Sequence, residues 1–272
     1  MRLELTPDQA FLRETTAKFL SNQVPVGEVR RLREDPAGFD AGYWRRGADL
    51  GWTSLLVDEE HGGGSVSGEG LIDLTLIAHE FGAHAAPGPL LPTNIVASAL
   101  SAAPAEAYPD VLADLLSGAS VASWCFEEPG SGSRPASVVA RLEGDEVVVE
   151  GIKRPAESAG QADHLLVTAR TGEGLTQILV PADAPGVTVE PMQTVDLTRR
   201  CSVVTFADVR MPAGAVLGEI GGAAQQVDRQ LQQAIVILNA ESVGAMQRAF
   251  DMTVEWAFDR YSFGRPLASY QE

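Results

Sequence analysis

From Gln232 onward no proline or capping residue interrupts the chain until Gly264-Arg265-Pro266. Ile235, Leu238, Ala245, Met246, Ala249, Met252 and Trp256 recur there at helical spacing, with Glu241, Arg248, Asp251, Glu255 and Asp259 largely between them. The pattern predicts a helix of roughly eight turns, a length more typical of a bundle than of ordinary globular packing. A bundle helix needs partners. They lie upstream in this chain, on another subunit, or beyond Glu272.

Upstream, the order of elements narrows the choice. Thr6-Pro7-Asp8-Gln9 is a helix start: Thr as N-cap, Pro at the first helical position, Gln three after the cap. A second helix is expected near Tyr43 to Leu50, a third from Leu71 to Phe81 closed by Gly82, and two more over Pro92–Leu100 and Ala105–Leu116. Gly62-Gly63-Gly64 lacks the Lys-Ser/Thr of a phosphate loop and reads as a flexible turn. At Gly118 the period changes from 3.6 to 2. Short β-rich runs follow: Ser120–Phe126, Ser137–Leu142, Glu146–Glu150, His164–Ala169, Thr176–Val180, Val187–Pro191 and Ser202–Val209. They predict a small antiparallel sandwich or barrel. The class is therefore α+β, with a helical domain over residues 1–118, a β-domain over 119–218 and the start of a helical bundle over 219–272.

Composition excludes some partners. Hydrophobic residues make up 45% and charged residues 21%, so the chain folds. The net charge of −17 argues against nucleic acid or an anionic membrane surface as the main partner, although local Arg and backbone N–H groups can still hold an anionic cofactor. Cys125 and Cys201 sit among apolar or strand-like neighbours and read as buried free thiols. No Cys or His cluster has metal-ligand spacing, and His79 and His84, five apart, do not share a helix face. No metal is expected. With no signal-peptide core at the N-terminus and no run approaching 18 apolar residues, a cytoplasmic location is the default.

The run Trp124-Cys125-Phe126-Glu127-Glu128-Pro129-Gly130-Ser131-Gly132-Ser133 resembles the aromatic-rich strand and T-E-P-x-A-G-S segment of the acyl-CoA dehydrogenases. Other resembling segments follow in family order. They are Gly51-Trp52 to Gly64, His79-Glu80-Phe81-Gly82, Gly144-Asp145 through Gly151-x-Lys153, Asp208-Val209-x-Met211-Pro212, Val243-Gly244, and Arg260-Tyr261-Ser262-Phe263-Gly264-Arg265-Pro266. Each is weak alone; together, in order and across the whole chain, they are specific. The resemblance implies a helical domain, a β-domain and a four-helix bundle. This chain would supply the bundle's first long helix and the start of the second, so further bundle helices are expected outside it.

The resemblance also implies a chemistry: FAD-dependent α,β-dehydrogenation of an acyl-CoA thioester, with a carboxylate removing the α-proton and the β-hydrogen leaving as hydride to the flavin. It implies a homo- or hetero-oligomer, dimer or tetramer, with shared FAD sites, and electron-transfer flavoprotein as electron acceptor. Carried over by motif, Trp124 and Phe126 lie along the flavin ring. Gly132 and Ser133 meet the FAD phosphate or ring; their alternative reading is an ordinary β-turn. Arg260 on the pyrophosphate, Phe263 near the adenine side and Gln271 on the adenine side reach a neighbouring subunit's FAD. For Arg260 the plainer reading is a solvated charge at a helix end.

Departures from the pattern matter as much. The Thr that hydrogen-bonds the flavin is Glu127 here, and a carboxylate there repels an anionic reduced flavin. Where the family has G-x-K-x-[WFY]-[IV]-[TS]-N, Pro155 replaces the aromatic and Glu157 the Thr that cover the flavin. The CoA-contacting Asp-x-x-Arg pair aligns with Gln232 and Ile235, and one family position of the catalytic Glu aligns with Ala234. No catalytic residue is assigned. Glu241, seven residues after Ala234 and on nearly the same helix face, is either a displaced base or a buried or interfacial polar group. The retained and lost residues divide in the way expected of a partner subunit in a heteromeric acyl-CoA dehydrogenase, of the kind found in bacterial steroid side-chain breakdown.

Overall fold

The fold rests on a computed structural model that describes residues 4–103, 107–130, 137–196 and 198–270. Six helices come first: α1 (Pro7–Gln23), α2 (Val26–Leu32), α3 (Ala41–Ala48), α4 (Gly70–His84), α5 (Leu90–Ser101) and α6 (Pro109–Leu116). The first turn of α1 is set locally. Thr6 Oγ1 accepts from Gln9 N, the Gln9 side chain accepts from Thr6 N, and Pro7 fills the first position, where no N–H is needed. These helices close over an aromatic core in which Trp52 meets Phe81 edge-on at 4.8 Å and Phe19 at 5.3 Å.

Strands β1 (Ala122–Cys125), β2 (Val139–Glu143), β3 (Glu146–Glu157), β4 (His164–Thr171), β5 (Gly174–Pro181), β6 (Val187–Pro191), β7 (Cys201–Pro212) and β8 (Val216–Leu217) form one sheet, ordered β6-β7-β3-β2-β4-β5-β8 with β1 beside β4. An antiparallel sandwich or barrel was the expectation. The sheet is mixed: β1 runs parallel to β4 from the Ala122–His164 pair to the Cys125–Val167 pair, and β2 touches β4 in the same sense. Strand direction leaves no local trace in a sequence, because alternation is the same either way. Both faces of β4 and β5 are covered. Leu165, Val167, Ile178 and Val180 point into the sheet's own core, whereas Leu166 and Leu179 meet Val96, Leu112 and Leu115 of α5 and α6.

Helix α7 (Ala224–Asp259) follows, then a two-stranded hairpin, β9 (Tyr261–Ser262) with β10 (Arg265–Pro266), and a short 3-10 turn over Leu267–Ser269. At 36 residues α7 exceeds the expected eight turns, since it starts eight residues before Gln232 in a polar stretch that carries little periodicity. Its first half packs Ala234 and Ile237 into the helical core, while Met246, Phe250, Trp256 and Phe258 further along are exposed. Helix α4 runs through Gly82 to His84 instead of ending there, and its C-cap is Ala85 in the left-handed region. Among the described residues no helix is long and apolar enough to cross a membrane.

Candidate functional site

A cavity of about 250 Å³ lies where the sheet, α5 and α7 meet. The alternation of β1 builds its sheet-side wall. Cys125 turns into the sheet core, so Trp124 and Phe126 share the opposite side, where their rings stack at 4.9 Å with a 20° interplanar angle. The indole N–H of Trp124 is buried without a hydrogen-bond partner. Burial pushes the Cys125 thiol up to about 12, which leaves it an inert core residue.

Behind this wall a buried ion pair fixes the backbone. Lys153 Nζ, on β3, donates to Phe126 O at 2.9 Å and meets Glu128 Oε1 at 2.8 Å, with both side chains wholly buried. Glu128 also accepts from Ser137 N, Ser137 Oγ and Val138 N. Burial lowers the Lys153 pKa, and the attraction of Glu128 opposes that shift.

The register of β3 against β7 slips between Lys153 and Ala156, which re-aims the end of the strand. Pro155 and Glu157 then line the cavity with Glu127, opposite Ala234 and Leu238 of α7. Glu157 Oε2 is 2.8 Å from Arg199 Nη1, and Arg199 Nη2 is ion-paired to Glu241 of α7. Asp196 lies 3.7 Å from Arg199 Nε. Burial pushes both the Glu157 and Glu241 carboxyls above their ordinary value, with Arg199 pulling the other way. On the far side of this contact, Gln177 of β5 and Gln230 of α7 exchange amide hydrogen bonds at 2.8 and 3.0 Å.

The cavity thus gathers Trp124, Phe126, Glu127, Pro155, Glu157 and Ala234, all singled out by motif. Arg199 was missed. It belongs to no motif, and the two carboxylates it hydrogen-bonds, Glu157 and Glu241, are each 42 residues away in sequence. Glu241 is engaged with Arg199. Gln232 lies instead in a separate groove of about 640 Å³ beside Ser98 and Arg229, and Ile235 is exposed. Arg260 and Phe263 lie far from the cavity. Arg260 follows the last residue of α7, 26 positions past Ala234, or about 39 Å along the axis. Its guanidinium rests over Trp256 at 5.9 Å, and Phe263 is 98% exposed at the hairpin tip. The two sets therefore stand about 39 Å apart along α7 within one chain. Gly132, Ser133 and Gln271 fall outside the described residues. Asp58, Glu60 and His61 have ligand atoms within 4.8 Å of one another, but both carboxylates are exposed. His79 Nδ1 and His84 Nδ1 both approach the Glu80 carboxylate, at 3.1 and 3.7 Å, despite their five-residue spacing.

Comparison with known proteins matches this architecture. Residues 6–119 fit the profile "Acyl-CoA dehydrogenase, N-terminal domain", and residues 123–209 fit "Acyl-CoA dehydrogenase, middle domain". "Probable acyl-CoA dehydrogenase YngJ" of Bacillus subtilis is 29% identical over 100% of this chain and 74% of its own length. The solved structure "Tcur3481-Tcur3483 steroid ACAD" superposes with a TM-score of 0.82 at 27% identity, over 96% of this chain and 69% of that one. A glutaryl-CoA dehydrogenase from Mycobacterium smegmatis, in complex with FADH2, has the same fold, with a TM-score of 0.87 at 22% identity over 98% and 69%. With the sheet, the long helix and both domain profiles in register, the chain belongs to the acyl-CoA dehydrogenase family.

Proposed function

We propose that this chain serves FAD-dependent α,β-dehydrogenation of an acyl-CoA thioester as a subunit that completes the flavin site of a neighbour. The observation that carries the reading is the separation within one chain. The aromatic wall of Trp124 and Phe126 and the limb of Arg260 and Phe263 stand at opposite ends of a long stretch of α7. Two such halves make one site only across subunits. The limb suits the cofactor: an exposed guanidinium offers a planar fork to a pyrophosphate. The cavity suits it poorly, because Glu127 and Glu157 carry negative charge where a reduced flavin would gain it. Flavin, when bound in such an assembly, supplies the hydride acceptor, and electron-transfer flavoprotein takes the electrons onward.

This combination favours a hetero-oligomer, in which the catalytic carboxylate comes from the other subunit. The solved "Tcur3481-Tcur3483 steroid ACAD" supports such a pairing by its two components. The test is the visible spectrum. Purified alone, the chain should lack the flavin band, and it should acquire the band with its partner subunit. The Arg260→Ala variant should then lower FAD retention in the assembly without changing the melting temperature. One FAD per chain in the isolated protein, or full retention in the variant, would sink the proposal.

A further inference from the structure

Glu157 from β3, Arg199 from the β6–β7 connection and Glu241 from α7 meet in one ion triad beside the cavity. We infer that this triad closes the chain's own pocket to a flavin ring, so that the ring is held by a different subunit's pocket and this chain meets that FAD only through the Arg260–Phe263 limb, at its pyrophosphate and adenine side. The inference deepens the partner-subunit reading and rests on it.

Four observations carry it. The space left is about 250 Å³, below the roughly 300–1,000 Å³ of ordinary ligand pockets. Trp124 and Phe126 already cover one another's faces, which reduces what they offer a planar guest. The charges are interlocked: side-chain exposures are 21% for Glu157, 23% for Arg199 and 19% for Glu241. A ring wedged between sheet and helix would pull Arg199 from one of its carboxylates and strand a largely buried charge. Finally, α7 is tied directly to the sheet by two sets of side-chain contacts, the triad and the Gln177–Gln230 pair. A ring entering this junction would have to part those contacts.

The test uses lumiflavin, the bare ring system, in equilibrium dialysis against the full chain. The wild type should bind none. A Glu157→Thr/Arg199→Ser/Glu241→Ala variant that retains its circular dichroism spectrum should bind about one per chain at lumiflavin concentrations where the wild type binds none. Should the triple variant fail to fold, Glu241→Ala alone releases the helix end of the triad and should raise uptake in the same direction. Stoichiometric binding by the wild type, abolished by Trp124→Ala, overturns the inference. So does a folded open variant that takes up no lumiflavin. FAD retention in the assembly and its sensitivity to Arg260→Ala report on the limb, so failure of the partner-subunit reading and failure of the closed pocket give different results.

Discussion

Gly82 of α4 and Gly244 of α7 face one another at a crossing with no room for a side chain on either helix. A Cβ on Gly82 would lie 1.8 Å from Glu241 O, and one on Gly244 would lie 1.8 Å from His79 O. The obstruction is backbone on both sides, which cannot swing aside as a side-chain tip can. Gly82→Ala or Gly244→Ala should therefore force the helices apart and destabilise the chain by about 2–3 kcal/mol, the upper part of the usual overpacking range. Urea unfolding measures this. A cost near zero for both variants would mean that the helices are not in contact. Because Glu241 sits at the same crossing, either variant should also loosen its contact with Arg199.

The members of the triad should respond unequally. Arg199→Met leaves two largely buried carboxylates without their cation and should cost about 3 kcal/mol near neutral pH. Glu241→Gln keeps the Arg199–Glu157 pair and removes a surplus negative charge, so it should cost under about 1 kcal/mol. The sign with pH follows from burial. Both carboxyls are raised above the ordinary 4.5 in the folded chain. Stability from such groups is complete below their unfolded pKa and is lost as pH rises through the folded value. The Arg199→Met penalty should accordingly grow as pH rises above the ordinary carboxyl value of 4.5 in urea titrations. A penalty that shrinks over that range would contradict the assigned burial.

Thiol chemistry separates the two cysteines. Cys125 is fully buried, with its thiol pushed up to about 12, whereas Cys201 is partly exposed and only raised by burial. A thiol reagent near neutral pH should modify Cys201 slowly and Cys125 only after unfolding. Rapid modification of two thiols in the native protein would show that β1 does not hold Cys125 in the sheet core.

Much of the chain could be read locally. The capping box at Thr6 and Gln9 and the span of β6 involve neighbours within a few residues, and there expectation and structure coincide. Local signals mislead where one residue type serves two ends. Gly82 reads as a helix stop because glycine is common there, yet its place in α4 is required by α7 passing across it, about 160 residues later in the chain. Strand β3 runs on to Glu157 although Pro155 and charged residues break its alternation, because pairing with β7 supports it.

By itself the sequence determined the α–β–α order of elements, the family, and which positions differ from the family's flavin-facing set. Those facts are written in periodicity and short motifs, whose physics is local. Only the tertiary structure decided that Glu157 and Glu241 are partners through Arg199, that β1 runs parallel to β4, and that Trp124 and Arg260 lie far apart. Ion pairs between residues 42 positions apart, strand direction and helix crossings are set by how distant segments share space, and no window along the chain contains that information.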